Sequence, residues 1–409
     1  MDIINDRKLI FHTLYNIIEE NKYSNIELRK IQSNHQAFIT DMVYGILERK
    51  ATLDFVIQSL STVSFQKIHP NVRILLYMGI YQLLFMRVKD HAAVYETVEL
   101  GKEILHKGSI KFLNGMLRNL QRKRDSIEKM IKDSDMDIRY SISKEFLQLL
   151  REDFDEQTVE TILKDSLEPK YNHVYLRRKE MEIIGFLKQK NIPHCKKEDF
   201  LIFRGPMSLL EIFYKAGDIS YMDISTSAIR YVIPEKVDRV LELCAAPGGK
   251  TTLIADVLPH AEIDAIEIHS HRAEVLERNL KRMGIQNVQV IVADGIHFSS
   301  SKPYDLVSID APCSGSGVIG RRPELRYKIN RKMIKELQST QFDLLSNAIE
   351  QTKAKGTILY STCSILKKEN EEVIEKVTNA FPVTKVKQAL ILPTDGKEGF
   401  YIALLKKDE

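Results

Sequence analysis

Residues 239–251 read RVLELCAAPGGKT, and this stretch decides the fold of the second half of the chain. An apolar run ends at Leu243 and passes directly into a loop of small residues that contains the pair Gly248-Gly249. Glycines after a strand let the backbone approach a ligand closely and turn into a helix. The stretch therefore predicts a strand, a ligand-binding loop and a helix, in that order.

Four more short apolar runs follow, each ended by polar or glycine-rich residues. With the first, the five runs are Arg239–Cys244, Ile263–Ile268, Val288–Ala293, Leu306–Asp310 and Thr357–Ser361. Strands that alternate with helices predict a largely parallel sheet with helices on both faces. Such sheets bind ligands at the carboxyl ends of their strands. We therefore expect an α/β, Rossmann-like domain over residues 219–409, with its site at that edge.

The rest of the chain is expected to form two further domains. Residues 1–132 have helical spacing throughout, with a run at Val72–Met86 that is apolar on nearly all sides, and they predict an all-α domain. Residues 141–218 combine a helical beginning, Ser143–Leu163, with short apolar runs, and they predict a small α/β, ferredoxin-like domain. The acidic stretch 133–137 is typical of a linker.

Composition sets broad limits on the class of protein. The 409 residues carry a net charge of +4, with 44% hydrophobic and 28% charged residues, which indicates a globular protein of two or three domains. The four cysteines have no CxxC spacing, so neither a metal site nor a disulfide framework is expected. Free thiols, no signal-peptide pattern and no apolar run of about 20 residues favour a cytoplasmic protein. A monomer is the default expectation.

Acidic residues after two of the predicted strands indicate an adenosine-type cofactor. Glu267 lies 19 residues after Gly248, where an acid can accept hydrogen bonds from both hydroxyls of a ribose. Asp294, after the next strand, can bond an adenine amino group. Either acid alone could instead be a helix cap. The phosphate-binding pattern GxxxxGK[ST] is absent, so S-adenosylmethionine, which has no phosphates, fits the loop better than ATP or NAD.

Two cysteines follow predicted strands, in the segments Asp-Ala-Pro-Cys at 310–313 and Ser-Thr-Cys at 361–363. Most intracellular cysteines are small buried residues, but two thiols at the ligand edge of one sheet favour chemistry. Methylation at C5 of a cytosine needs a nucleophile at C6, for which a thiolate is suited, and then removal of the C5 proton. Cys313 and Cys363 can supply two thiols, and Asp310 can bond the base at N3 or N4.

Two basic stretches are candidates for contact with a nucleic-acid backbone. Residues 106–124 contain no acid and six cations: Lys107, Lys111, Arg118, Arg122, Lys123 and Arg124. Residues 321–335 contain seven cations: Arg321, Arg322, Arg326, Lys328, Arg331, Lys332 and Lys335. A solvated helix face has the same pattern, but clustered cations also gain affinity for RNA by releasing its counterions.

At these motifs the chain resembles the RNA cytosine-C5 methyltransferases of the Sun (Fmu) family. LCAAPGGKT at 243–251, DAPCSGSG at 310–317 and STCSILKKEN at 361–370 occur in the family's order. The resemblance implies that Cys363 is the nucleophile, that Cys313 assists release of the methylated product, and that Lys250 and Asp310 line the base site. The residues that it implies for S-adenosylmethionine are Cys244, Ala245, Ala246, Pro247, Gly248, Gly249, Lys250, Glu267, Arg272, Asp294 and Asp310.

The N-terminal half resembles the NusB-like RNA-binding domain that is fused to one bacterial branch of this family. The similar segments are Tyr44-Gly45, Gly79–Leu84, Ala92–Val98 and Phe112–Arg118. That branch implies 16S ribosomal RNA as the substrate. Two alternatives stay open: the same chemistry on transfer RNA, and a non-catalytic RNA-binding factor in assembly or antitermination. DNA methylation is disfavoured, because enzymes that resemble this chain but act on DNA take their thiol from the Pro-Cys segment.

Overall fold

The computed structural model describes residues 2–409, which divide into two compact units. Unit 1 runs to Glu152 and also contains a later segment, Ile319–Ile329, whereas unit 2 consists of Asp153–Val318 and Asn330–Glu409. None of the helices within residues 2–409 is long and apolar enough to cross a bilayer. The three domain boundaries expected from the sequence stay predictions.

Unit 1 is helical, as the sequence predicts. Its helices are α1 (Asp2–Ile18), α2 (Ser24–Arg29), α3 (Gln36–Glu48), α4 (Lys50–Leu60), α5 (Pro70–Phe85), α6 (Asp90–Ile104), α7 (Lys107–Lys132), α8 (Met136–Arg139) and α9 (Lys144–Asp153), whose last residue begins unit 2. The apolar run at Val72–Met86 forms α5, which is buried because α1, α3, α4, α6 and α7 all pack against it. Pro70 begins this helix, where its missing N–H is not needed.

Two stretches differ from what the sequence predicts. The acidic stretch 133–137 was expected to be a linker, but it runs into α8, where the side chains of Met136 and Asp137 are buried. The helical stretch expected at Ser143–Leu163 forms two helices, α9 and α10 (Glu156–Asp165). The break occurs because Asp155 caps α10 by accepting a hydrogen bond from the backbone N–H of Thr158 at 2.9 Å.

Unit 2 contains a four-stranded antiparallel sheet. Its strands are β1 (Asn172–Leu176), β2 (His194–Lys197), β3 (Phe200–Phe203) and β4 (Ile219–Tyr221), in the order β2-β3-β1-β4, and its helices are α11 (Glu180–Gln189) and α12 (Glu211–Lys215). Val174 and Leu201 of the sheet share a buried core with Ile183 of α11. The predicted small α/β layer is present, although β2, which reads His-Cys-Lys-Lys, was not anticipated.

Unit 2 also contains a mixed seven-stranded sheet. Its strands are β5 (Arg239–Leu243), β6 (Glu262–Glu267), β7 (Val288–Val292), β8 (Tyr304–Asp310), β9 (Thr352–Thr362), β10 (Val383–Ile391) and β11 (Phe400–Lys407). The order is β10-β11-β9-β8-β5-β6-β7, with β5 to β9 parallel and β10 and β11 antiparallel. The Rossmann-like prediction is confirmed, and the five predicted strands are β5 to β9.

Helices cover this sheet and bring side chains to its edge. They are α13 (Gly249–Val257), α14 (Ser270–Met283), α16 (Arg331–Gln351) and α17 (Glu371–Ala380), while the short α15 (Leu325–Lys328) lies in the segment that belongs to unit 1. The core on one face includes Leu241 and Ile309 with residues of α16 and α17, and the core on the other includes Val240 and Leu253. Strands β5, β8 and β9 are therefore buried and adjacent, and the loops that follow them converge.

Candidate active site

The three cysteine motifs follow three adjacent strands. Because β9, β8 and β5 are neighbours and parallel, their carboxyl ends lie side by side, with Asp310 opposite Ser361 and Leu243 opposite Ile309. Cys244, Cys313 and Cys363 each come within three residues of a strand end. The structure thus brings the predicted motifs to the edge at which open α/β sheets bind ligands.

The loop after β5 depends on a glycine. Gly248 adopts φ +103°, and a Cβ placed on it would lie 2.5 Å from Cδ1 of Leu276, so both the backbone conformation and the space exclude a side chain. Ala245 and Ala246 are buried beneath the loop, whereas Pro247 is exposed. Gly249 begins α13, whose N-terminus therefore faces the edge of the sheet.

Glu267, the last residue of β6, holds a buried carboxylate at this edge. Its Oε1 accepts hydrogen bonds from the backbone N–H of His269 at 3.1 Å and from Nη1 of Arg272 at 3.2 Å. Its Oε2 has no hydrogen-bond partner anywhere in residues 2–409, although the side chain is only 1% exposed. Arg272 also donates to the carbonyl of Ala246 at 2.7 Å and so ties the loop after β5 to Glu267. A buried acceptor oxygen is left for a ligand.

Asp294 lies two residues after β7, at the same edge as Glu267. Its Oδ1 accepts a hydrogen bond from the backbone N–H of Ile296 at 2.9 Å, and its side chain is 40% exposed. No helix begins directly after Asp294, so this residue is not the helix cap that was the alternative, and the hydrogen bond closes a turn. The remaining carboxylate oxygen faces Nε2 of His297 only at 3.9 Å, which leaves it able to accept a hydrogen bond from a ligand.

Lys250 and Asp310 form a close ion pair at the centre of the edge. Nζ of Lys250, in the first turn of α13, lies 2.6 Å from Oδ1 of Asp310 and 5.3 Å from the centre of the Phe400 ring. Burial lowers the pKa of the Lys250 ammonium, but the Asp310 carboxylate more than offsets this, so the pKa is raised overall. The site therefore contains a fixed positive charge beside a half-exposed carboxylate.

The thiols of Cys313 and Cys363 touch. Their Sγ atoms are 3.2 Å apart, and the two loops come together because Gly317 donates its backbone N–H to the carbonyl of Cys363 at 2.9 Å. A Cβ on Gly317 would lie 2.7 Å from both that carbonyl oxygen and the Cα of Gly399, so only glycine allows this approach. The hydrogen bond with Cys363, followed by burial, raises the pKa of the Cys313 thiol well above its usual value. Cys313 is thus a neutral thiol in the free protein.

The other two cysteines differ from this pair. Burial raises the pKa of Cys244 to about 12, with the nearby carboxylates of Asp310 and Glu267 adding to the effect. Cys244 therefore lines the loop as a neutral thiol and is not suited to act as a nucleophile. Cys195 is exposed on β2, in the four-stranded sheet.

Two buried acids near the thiols were not anticipated. Glu242 on β5 is 1% exposed, and burial raises its pKa to about 8. Glu369 is fully buried and accepts hydrogen bonds from Ser314 and Ser364, the residues that follow the two cysteines. The buried position of Glu242 could have been inferred from the sequence, because it is a charged residue inside the apolar run RVLEL. Glu369 lies in the motif STCSILKKEN at 361–370, but its contacts with distant residues have no pattern in the sequence.

The two basic stretches have different environments. On α7, Lys107, Lys111, Arg118, Arg122 and Lys123 are exposed, whereas Arg124 is bound to Asp90 and Glu128. In the second stretch Arg326 is fully buried and donates to the carbonyl of Tyr140 at 3.0 Å, so its proposed contact with RNA is wrong. Lys328 donates to the carbonyl of Asn21 at 3.2 Å. The exposed cations of this stretch are Arg322, Arg331, Lys332 and Lys335.

Comparison with protein families matches two separate parts of the chain. Residues 230–406 match the family described as 16S rRNA methyltransferase RsmB/F, and residues 4–122 match the NusB family. A ribosomal RNA small subunit methyltransferase B from Klebsiella pneumoniae is 30% identical, with 99% of each chain covered. The protein of that name from Escherichia coli O7:K1 is 29% identical over 93% of this chain and 92% of its own.

Two solved structures share the fold of this chain. The structure of PH0851 covers 98% of this chain and 97% of its own, with 22% identity and a TM-score of 0.78. The structure of NSun6 from Pyrococcus horikoshii with SFG covers 65% and 98%, with 19% identity and a TM-score of 0.59. At these identities the comparison establishes the fold.

The sheet order and the loop after β5 are those of an S-adenosylmethionine-dependent methyltransferase, which is the class of the matched family. With a relative at 30% identity over nearly its whole length, the chain belongs to the 16S rRNA methyltransferase RsmB/F family, and it is an RNA methyltransferase. The residues at the edge fit its cofactor. Oε2 of Glu267 can accept a hydrogen bond from a ribose hydroxyl. S-adenosylmethionine supplies the methyl group.

Proposed function

We propose that the enzyme methylates C5 of one cytosine in 16S ribosomal RNA through a covalent adduct between Cys363 and C6 of the base. The observation that carries this proposal is the 3.2 Å contact between the two thiols, beside the ion pair of Lys250 and Asp310. C5 and C6 are adjacent ring atoms, so the two groups that act on them must lie close together. A pair of purely structural cysteines does not require an ion pair next to it.

Cys363 acts first, as a thiolate. The positive charge of Lys250, which interacts electrostatically with both thiols, favours the thiolate form. The sulfur forms a bond to C6, and the C5–C6 π pair moves to C5, which thereby becomes nucleophilic. Asp310 accepts a hydrogen bond from the N4 amino group of the base, or from N3 once that nitrogen carries a proton, and holds the ring in place. C5 then forms its bond to the methyl group, whose bond to the sulfonium sulfur of S-adenosylmethionine would break and leave S-adenosylhomocysteine.

Cys313 acts second, in the release of the product. Its high pKa arises first from the hydrogen bond with Cys363, and that bond is lost when Cys363 is attached to C6. Cys313 can then lose its proton to solvent and accept the proton from C5 as a thiolate. The electron pair of the C5–H bond forms the C5–C6 double bond, the C6–S bond breaks, and Cys363 leaves as a thiolate. One proton is released per methyl group.

The substrate assignment is supported by the relatives and by the surface of unit 1. The proteins from Klebsiella and Escherichia are named for the small ribosomal subunit. The exposed cations of α7 provide a surface for the RNA backbone, and the exposed cations at 322–335 provide a second. Ribosomal RNA of the small subunit is present in the cytoplasm, where we therefore expect the enzyme to act.

Incubation with labelled S-adenosylmethionine tests the proposal. Unmodified 16S ribosomal RNA and transfer RNA are offered separately, and the products are digested to nucleosides. The expected result is 5-methylcytidine at one site in 16S RNA. Label in transfer RNA alone would replace the substrate, and label at another atom would contradict the adduct mechanism. Tight RNA binding without any product would favour the assembly-factor alternative.

A further inference from the structure

Glu369 joins the two cysteine loops, and the proposed mechanism gives it no role. Its carboxylate is fully buried. Oε1 accepts hydrogen bonds from the backbone N–H of Ser314 at 2.8 Å and from Nε2 of Gln341 at 3.2 Å. Oε2 accepts from the hydroxyls of Ser314 at 2.5 Å and Ser364 at 2.6 Å. One side chain therefore binds the residue directly after Cys313 and the residue directly after Cys363.

Further hydrogen bonds join the two cysteine loops beside this carboxylate. The N–H of Ile365 donates to the hydroxyl of Ser316 at 2.9 Å, and the hydroxyls of Ser316 and Ser364 are 2.9 Å apart. Because Ser364 gives its proton to Glu369, Ser316 must be the donor to Ser364. Four donors on two oxygens are the full complement of an ionised carboxylate. These directions are the ones expected for an ionised Glu369 carboxylate, although burial raises the pKa of that carboxyl group.

The other side of the network is also fixed. Gln341 of α16, which is fully buried, donates from the same Nε2 to the carbonyl of Pro312 at 2.9 Å. The hydroxyl of Tyr360 donates to the carbonyl of Glu369 itself at 2.7 Å. Glu369 is therefore held from α16 and from β9, and the residues on both sides of Cys313 are bound to this assembly.

We propose that Glu369 is a positioning residue that sets the separation of the Cys313 and Cys363 thiols by binding Ser314 and Ser364 together. The inference rests on the proposed function, because the roles of the two thiols do. The same carboxylate has an electrostatic effect: after the hydrogen bond to Cys363, burial and the charge of Cys363, it raises the pKa of Cys313 further. It thus helps to keep Cys313 protonated in the free protein.

Phenylarsine oxide tests the separation of the thiols without RNA or cofactor. Its arsenic binds two thiols, forming two As–S bonds and releasing one water, and it holds the sulfurs at about van der Waals contact. The affinity of phenylarsine oxide for the protein therefore reports whether the two thiols lie close enough to bind one arsenic atom. All variants carry Cys195→Ser, which removes the exposed thiol, and the dissociation constant is measured by competition with dimercaptopropanol.

Four variants separate positioning of the thiols from general stability of the protein. Glu369→Ala is expected to weaken arsenical binding at least about tenfold, since both loops lose their common partner. Ser364→Ala removes the only hydrogen bond from the second loop to Oε2 and should weaken binding by about threefold to tenfold. Ser314→Ala keeps the backbone bond to Oε1 and should change it by less than about twofold. Glu369→Gln, which keeps the volume, should restore part of the loss.

A matched control lies nearby on α17. Glu375 is exposed, so Glu375→Gln should bind the arsenical as the parent does. Unchanged affinity in both Glu369→Ala and Ser364→Ala would overturn the proposal, as would equal losses in Ser314→Ala and Ser364→Ala. Failure of the parent to bind would also overturn it. If Glu369→Ala does not fold, the arsenical affinities of Ser314→Ala and Ser364→Ala test the proposal. Absence of 5-methylcytidine would contradict the proposed function but leave these affinities valid.

Discussion

At the residue scale, the thiols of Cys313 and Cys363 lie in one site, but removing each one is expected to stop the reaction at a different step. Cys363→Ala should abolish methyl transfer, by a factor on the order of a thousand or more, because nothing else can add to C6. Cys313→Ala should still form the adduct but release it slowly, so that enzyme linked to RNA accumulates. Denaturing gels with labelled RNA measure both outcomes.

Cys195→Ser is the control for these thiol variants, since Cys195 is exposed on β2. It should retain the parent's activity and show no accumulated adduct. Full activity of Cys363→Ala would remove the nucleophile assignment. A Cys313→Ala enzyme that turns over normally, with no linked RNA, would remove the release role.

Glu242 makes the stability of the protein depend on pH. Burial raises the pKa of its carboxyl group from 4.5 to about 8, and the side chain of Thr251 lowers that pKa only in part. Between these values the folded protein holds a proton that the unfolded chain has lost, so the free energy of unfolding falls as pH rises from about 4.5 to about 8.

Glu242→Gln should remove this dependence, because an amide does not ionise. We expect the variant to be more stable than the parent at pH 8, by on the order of a few kcal/mol, and the difference to shrink toward pH 5. Urea unfolding at both pH values measures it, with the exposed Glu375→Gln as control. An advantage of equal size at pH 5 and pH 8 would show that Glu242 does not titrate in this range.

At the scale of the element, α7 is expected to bind RNA through its exposed cations. Replacing Lys111, Arg118 and Arg122 by Gln should weaken binding and lower the slope of log affinity against log salt by about 2 to 3, since each phosphate contact contributes about 0.7 to 0.9. Filter binding of 16S RNA over a range of KCl concentrations measures this slope. Arg124→Gln is the control, because Arg124 is already bound to Asp90 and Glu128. A triple variant with the parent's slope would exclude α7 from the RNA surface.

Elements with an apolar run and a clear stop could be predicted from the sequence, and others could not. Strands β5 to β8 were anticipated to within about two residues, because each run ends in glycine or an acid. Strand β9 begins at Thr352, five residues before the predicted start at Thr357, because Lys353-Ala-Lys-Gly is polar. Strand β10 was missed because it is largely exposed at an edge of the sheet, with lysines along it.

Part of the site could also be predicted from the sequence, and part could not. Strand adjacency follows from fold class, so the meeting of Cys313 and Cys363 could be expected from their positions after two strands. The hydrogen bonds of Glu369 to Ser314 and Ser364 join residues 55 and 5 positions apart, and only the folded chain shows them. The basic run predicts that Arg326 is exposed, because nothing in the sequence distinguishes a buried arginine from its exposed neighbours. In the structure Arg326 is buried.

At the scale of the whole molecule, the chain contributes to unit 1 twice. Segment 319–329 comes shortly after Cys313, yet it belongs with the helices of residues up to 152. Ser143 donates its backbone N–H to the carbonyl of Arg326 at 3.0 Å, and Ser24 donates its hydroxyl to Glu324 at 2.8 Å. Ile329 is 1% exposed. Unit 1 is thus completed by residues that the boundary expected at 132 leaves out.

A fragment of residues 1–152 is therefore expected to be less stable than unit 1 is in the whole chain, since it lacks the residues that cover Tyr140 and Ser143. A peptide of residues 319–329 should raise its Tm, and the increase should grow with peptide concentration, because a ligand that binds only the folded state stabilises it by mass action. Differential scanning fluorimetry measures the shift. The same peptide with Arg326→Ala loses the hydrogen bond to Tyr140 and should act more weakly. No shift with the parent peptide would mean that residues 1–152 fold without the segment.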